Sequence, residues 1–329
     1  MKLLFVGDVM LGRLVNEVLQ TKPPQFPWGD TLPLFEKADI RIGNLECVIS
    51  DRGQPWRDTP KVFHFRSDAK NIEVLQQAKI DAVSLANNHT LDFGHEAMVE
   101  MLESLDRARI SHAGAGSDLS AASRTTVINV EGIEVGLIAF TDNEPDWEAT
   151  ADRSGVFYVP TDTNDGRFQH LTQLVQATGQ SCDVVIVSAH WGPNWGYRPP
   201  PEHPPFAHAL IEAGADIIFG HSGHVFRGIE IYQGKPILYC TGDFIDDYAV
   251  DEIERNDQSF IFVVEWDEGR LEKIVLYLTV IRDMRALRAT GEEAREIASR
   301  MRTLCQELGT LANWEPKAGT LVIEKRVQT

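Results

Sequence analysis

Five short polar motifs hold the side chains of this sequence best suited to chemistry: Gly7-Asp8, Gly43-Asn44-Leu45-Glu46, Asn87-Asn88-His89, His190-Trp191-Gly192 and Gly220-His221-Ser222-Gly223-His224. Each closes an apolar run that reads as a strand: LLFV, ADIRI, DAVSLA, VVIVSA and ADIIF. Ligands of α/β proteins bind at the carboxyl ends of strands. Five such ends would gather Asp8, Asn44, Glu46, Asn88, His190, His221 and His224 from positions more than two hundred residues apart. Oxygen and imidazole donors without a thiolate suit a hydrolytic centre of one or two divalent metal ions (Mn, Fe, Zn, Mg or Ca) rather than a structural zinc site. Taken singly, each has a plainer reading: Asp8 as a helix cap, Glu46 as a surface carboxylate, Asn88 as a turn residue, His190 as a hydrogen-bonded core histidine. The joint pattern is what points to metal.

The elements that would position these motifs alternate between strand and helix. Residues 2–9 read as a buried strand ended by Gly-Asp; residues 21–33 are a Pro-rich loop, followed by a short helical piece at 34–38 and a strand at 39–44. Residues 50–66 form a polar and aromatic excursion over the site. A helix is expected over 68–79, a strand over 81–86 and an amphipathic helix over 95–109. Strand, polar loop and helix recur around His190 and before His221. Three hairpins interrupt the alternation, at 125–140 around Glu131-Gly132, at 228–242 around Gln233-Gly234, and at 259–281 around Asp267-Glu268-Gly269. Hairpins mixed with β-α units predict an α/β fold: a four-layer αββα sandwich of two mixed sheets flanked by helices. Residues 1–285 make the main domain. Residues 286–329, with a helix at 291–308 and an edge strand at 320–325, pack on it.

Composition narrows the partners. The 329 residues are 43% hydrophobic and 24% charged, with net charge −18. No basic face offsets that charge, which argues against nucleic acid and anionic membranes. A polyanionic substrate would need a local cationic patch or a metal. Cys47, Cys182, Cys240 and Cys305 are scattered without a CxxC pair, as in a reducing compartment, and Cys47 and Cys182 read as core residues. The N-terminal apolar run is too short for a signal peptide, and no stretch is long enough to span a bilayer. A cytoplasmic location is expected; the oligomeric state is left open.

The order GDVMLGR, GNLE, LANNHTLDFG, HWG and GHxxHxxxGIExYxGKPIxYxxGDF resembles the CapA family, associated with poly-γ-glutamate capsule synthesis, itself similar to a branch of the calcineurin-like metallophosphoesterases. The resemblance covers about residues 1–250. It implies that Asp8 is the first metal-binding aspartate, that Asn44 or Glu46 stands where the bridging carboxylate falls, and that Asn88, His190, His221 and His224 are ligands, with His89 the adjacent catalytic histidine. Two positions depart from the phosphoesterase pattern: Asp8-Val9-Met10 replaces Asp-x-His, and Asn44 replaces the bridging aspartate. The terminal loop reads Gly-His-Ser-Gly-His where CapA proteins often have GHHPH, with the outer histidines still in place. The implied centre is a single tight metal or an asymmetric pair.

Three readings of function follow. The first is hydrolysis of a peptide-like (γ-glutamyl) or phosphoester bond, with a water acidified by the metal and His89 as general acid. The second is epimerisation at a peptide Cα. The third is a non-catalytic, metal-stabilised subunit of a polymer-synthesis complex. Arg13 is close enough to Asp8 to hold a substrate carboxylate or phosphate, or alternatively to pair with Glu46. Tyr197 and Arg198 are candidate substrate contacts, and Trp191 and Trp195 are expected to wall the pocket. Asp243 stands either near the metals or, with Asp246 and Asp247, in a solvated turn. His64, His95, His112, His170, His203 and His208 read as structural or surface residues. Loops 50–66 and 193–205 are lid candidates.

Overall fold

A computed structural model describes residues 1–325. Two mixed sheets face each other across an apolar core, as the alternation of β-α units and hairpins requires. The larger has ten strands. Along its main path these run Asn313–Glu315, Thr320–Glu324, Arg270–Arg282, Gln258–Asp267, Lys2–Val9, Ile40–Leu45, Ala82–Ser84 and Ser111–Ala113; Asp243–Ile245 pairs with the first strand and Arg285–Arg288 with the long hairpin strand. The smaller runs Ile229–Tyr232, Lys235–Leu238, Ile217–His221, Val184–His190, Ile133–Thr141 and Thr126–Val130. Strands that bury both faces read as near-continuous apolar runs, and Lys2–Val9 and Val184–His190 do so.

Between the sheets, Leu3, Phe5, Ile40 and Ile42 meet Leu137, Ile186, Ile217 and Phe219. Helix Gly94–Ala108 packs Met98, Met101 and Leu105 on the outer face of the large sheet. Helices Gly166–Thr178 and His203–Glu212 cover the outer face of the small one through Leu171, Val175, Phe206 and Leu210. The layers are therefore helix, sheet, sheet, helix. The C-terminal helix Gly291–Glu307 sets Ile297, Met301 and Cys305 into the inter-sheet core.

The local expectations differ from the structure in three places. The helix expected over 68–79 is a 3₁₀ turn, Ala69–Asn71, leading into Ile72–Gln77. The short helix expected at 34–38 is Leu32–Phe35, with Pro33 in its first turn. The strand at Thr320–Glu324 is not the sheet edge, because Asn313–Glu315 pairs outside it.

Registry is what brings the motifs together. In the large sheet Asp8 lies opposite Asn44 on one side and Asp243 on the other, and Asn44 lies opposite Ser84. In the small sheet Thr141, His190 and His221 form one row. All these pairings are parallel, so both rows sit at carboxyl ends. The register slips on both sides of Asp8, the kind of irregularity that re-aims a side chain beside a site.

Gly7 permits the arrangement. A Cβ there would lie 1.8 Å from the carbonyl oxygen of Gly242, the same oxygen that accepts from the Asp8 amide at 2.9 Å. Gly7→Ala is expected to push Asp243–Ile245 off the first strand and cost about 3 kcal/mol, near the top of the range for overpacking. A fall in the chemical-denaturation midpoint would show it, and an unchanged midpoint would show that the strand can yield.

Candidate metal centre

Asp8 is at the middle of the cluster. One carboxylate oxygen accepts from Asn44 Nδ2 at 2.7 Å, while the other is buried without a partner. Asn44 is in turn fixed by Asn87, whose amide donates to Asn44 Oδ1 at 3.1 Å and to the Leu45 carbonyl at 2.8 Å. Glu46 is wholly buried, with neither carboxylate oxygen hydrogen-bonded. Asp243 gives one oxygen to His224 Nδ1 at 2.9 Å and leaves the other unpartnered; Asp246 also has an unpartnered oxygen. Buried, unsatisfied carboxylates are costly, and a cation would satisfy them.

The ligand atoms fall into two sets. Asp8, His190 and His221 each offer one atom within 4.8 Å of the others; Asp8, Glu46, His224 and Asp243 do the same. Asp8 belongs to both. Asn88 adjoins the first set, its Oδ1 lying 3.0 Å from His190 Nε2. His190 Nδ1 lies 2.8 Å from His221 Nδ1, and Ser188 Oγ lies 2.8 Å from His221 Nε2, the kind of outer contact that fixes a ligand imidazole's orientation. The donors are hard or borderline and lie in two adjoining groups, so the residues fit divalent cations.

The electrostatics agree with that chemistry. Burial raises the Asp8 carboxyl to about 6, against the lowering influence of His224 and Asn44. Burial, then the Asp8 charge, pushes Glu46 well above the usual carboxylate range; Asp243 is raised likewise by burial and by Asp246. Burial holds His221 down to about 3 and His190 well below the ordinary imidazole value. Both rings are therefore neutral at pH 7, the form that binds metal.

His89 stands beside the cluster at the wall of a cavity of about 560 Å³. Its Nδ1 lies 2.6 Å from Asp92 Oδ2, and Phe65 stacks on its ring at 4.0 Å. Asp92 is fully buried; its second oxygen lies 3.5 Å from Lys61 Nζ. Lys61 also donates to the Asn88 carbonyl at 2.6 Å and to Glu144 at 3.0 Å, so loop 50–66 is tied across the site. Loop 193–205 is held from below by the buried Arg227, which donates to the carbonyls of Pro193, Trp195 and Gly196.

Of the residues singled out in the sequence, Asp8, Asn44, Glu46, Asn88, His89, His190, His221 and His224 meet here. Arg13 lines the cavity mouth but pairs with Asp247 at 3.3 Å, not with Glu46. Three expected substrate contacts are corrected. Trp191 is wholly buried, stacked on His203 at 4.3 Å and donating Nε1 to the Tyr239 carbonyl, so it underlies the cavity rather than walling it. Tyr197 packs on Phe226, and its hydroxyl meets the Glu254 carbonyl and Arg300. Arg198 forks onto Glu307 at 2.8 Å on the surface. Both tie their loop to the helices and turns beside it. Cys182, expected in the core, is half-buried.

Asp92 and Lys61 lie outside the sequence reading; Asp243 takes the first of its two expected places, and Asp246, expected in a solvated turn, is buried beside it. Two signals were available. Gly242-Asp243 repeats Gly7-Asp8, and Asp92 follows His89 by three residues within one turn. Nothing in the sequence marks Lys61.

Residues 2–248 match the family of bacterial capsule synthesis proteins PGA_cap. A probable polyglutamine synthesis accessory protein of Mycobacterium tuberculosis is 32% identical, over 92% of this chain and 90% of that protein. The PGA biosynthesis protein CapA of Bacillus subtilis is 29% identical over 74% of this chain and 62% of that one. A crystal structure of a hypothetical protein from Thermus thermophilus shares the fold, with TM-score 0.50 and 17% identity over 84% of this chain and 98% of that one. No helix among the described residues is long and apolar enough to cross a membrane. The family match spans every residue of the cluster from Asp8 to Asp246, and with it the chain belongs to the capsule and polyglutamate synthesis family PGA_cap.

Proposed function

We propose that this chain is a metal-dependent hydrolase of a peptide-like, γ-glutamyl-type or phosphoester bond. The observation that carries the reading is Asp8, shared between two ligand sets whose carboxylate oxygens are buried without partners, beside an imidazole–carboxylate dyad that opens on a cavity. Asp8, His190, His221 and Asn88 would hold one cation; Asp8, Glu46, His224 and Asp243 a second. A cation in either place supplies Lewis acidity, which acidifies water and stabilises charge developing on the substrate.

The chain's own groups do the rest. Asn44 and Asn87 orient Asp8, and Ser188 orients His221. Asp92 holds His89 through Nδ1, leaving Nε2 as the nitrogen that gives a proton to the leaving group. Phe65 covers the dyad and limits water, its ring stacked on His89 and its amide donating to Asp92. Glu144, the carboxylate among the lining residues, is engaged by Lys61, so the second carboxylate that proton removal and return at a Cα would use is not free there.

The name of the mycobacterial relative favours a second reading, a subunit that assists synthesis without chemistry. The experiment that separates them is elemental analysis of the purified chain, followed by assays of γ-glutamyl p-nitroanilide and p-nitrophenyl phosphate with Mn²⁺ and with Zn²⁺. Stoichiometric metal with turnover of either substrate is expected. Stoichiometric metal without turnover of any peptide or ester bond would favour the accessory role, and no metal after reconstitution would sink the hydrolase.

A further inference from the structure

Two aromatic walls converge on the carboxylate cluster. On one, Phe63 and Phe65 stack nearly parallel, with centroids 6.4 Å apart, and Phe65 continues the stack onto His89 at 4.0 Å. On the other, Trp195 packs against His224 at 5.9 Å, and Tyr248 meets His224 edge-on at 5.2 Å. Tyr248 and Phe65, 5.6 Å apart, join the walls at the base. Phe63 and Trp195 are 58% and 46% exposed, a degree of exposure that core packing does not explain. Both line the cavity.

The charges at this mouth are already matched. Arg13 pairs with Asp247 and lies over Phe63 and Phe65; Lys61 is matched by Glu144 and Asp92. An aromatic face is the negative side of the ring quadrupole, so it attracts ring edges and cations and repels carboxylates. A run of free glutamates laid between these walls would place its outer carboxylates on π faces, where the lining cations Arg13 and Lys61 are already engaged by Asp247, Asp92 and Glu144. We infer that the cavity takes a substrate in which one anionic or polar reacting group is joined to an uncharged flat ring, held between Phe63 on one side and Trp195 on the other. This specifies the substrate class of the proposed hydrolase and rests on that reading.

The test is calorimetric binding of phenyl phosphate, ethyl phosphate and tri-γ-glutamate to the full chain loaded with Mn²⁺. Phenyl phosphate should bind about tenfold more tightly than ethyl phosphate, the scale of a favourable aromatic contact. Phe63→Ala and Trp195→Ala should each remove most of that ratio without changing metal content, and Trp195→Phe should keep it. Both side chains are exposed, so the variants should fold. Equal affinity for the two esters, no binding of either, or tightest binding of tri-γ-glutamate would overturn the inference. Metal content and turnover, read on the same samples, report separately on the hydrolase: ring preference without turnover sinks the hydrolase, whereas turnover without ring preference sinks this inference alone.

Discussion

Asp8→Asn is expected to abolish metal binding at both candidate positions, whereas His190→Ala and His224→Ala should each empty one. Asp8 is common to both ligand sets, while the two histidines belong to different ones. Loss of even an outer contact to a metal ligand costs 10–100-fold in affinity, so removal of the shared carboxylate should cost more than ~100-fold. The metal-free variant should be no less stable than the metal-free parent. Burial already disfavours the Asp8 charge, and that charge in turn helps to raise Glu46 and Asp243 beside it. The pH dependence follows from the direction of the shift. With its folded carboxyl raised to about 6 from 3.8, Asp8 holds a proton in the folded chain where the unfolded chain has lost it. Its contribution to stability is complete below the unfolded value and disappears as pH rises through about 6. A cation takes the proton's place, so the rise in melting temperature on adding Mn²⁺ should be larger at about pH 7.5 than at about pH 5. Wild-type metal content in Asp8→Asn, or a metal-induced shift that grows on acidification, would show that Asp8 is not the shared ligand.

The two rows that make this cluster differ in how far the sequence exposes them. His190 and His221 end the strands Val184–His190 and Ile217–His221, which are apolar apart from Ser188, and a polar side chain at such an end has one place to go in a parallel sheet, the carboxyl edge. Asp8 and Asn44 are readable for the same reason. Asp243 is not, because its strand is three residues long and its neighbour is the first strand of the chain, more than two hundred residues earlier. That pairing depends on Gly7 and Gly242 allowing close approach, a property of two backbones that no periodicity reports. Asp92 is hidden differently: within LANNHTLDFG it looks like turn chemistry. Its partnership with His89 exists because the turn closes on itself, and the Phe65 amide, from another loop, donates to the same oxygen at 2.6 Å. Tyr197 and Arg198 mislead in the opposite sense. They follow a site motif by only a few residues, but Arg227 pins the carbonyls before them and turns the chain toward the C-terminal helix. Nearness in sequence to a motif is weak evidence for a loop residue, since a tight anchor can redirect the chain within one turn.

His89→Asn should leave metal content unchanged and lower kcat by about 10²–10⁴, the usual contribution of a positioned proton donor. No ligand set contains His89, so a structural account would predict a loss of stability or metal instead. The informative experiment is the pH profile of its two neighbours. Burial lowers the His89 pKa, Asp92 raises it and Lys61 lowers it. A general acid is active while protonated, so its loss appears as the basic limb of the rate profile. Asp92→Asn removes the raising charge and should move that limb to lower pH, together with a fall in kcat from the lost orientation of the ring. Lys61→Met removes a lowering charge and should move the limb to higher pH, even though its other bonds, to Asn88 and Glu144, are lost with it. Opposite displacements from two substitutions around the same imidazole cannot come from a general loosening of the cavity, which would shift both limbs alike. The combination His89→Asn with Asp92→Asn should be little worse than His89→Asn alone, because Asp92 acts through the imidazole and groups that act as a unit are not additive. An additive double variant, or limbs that move together, would mean that the proton reaches the leaving group by a route that does not pass through His89.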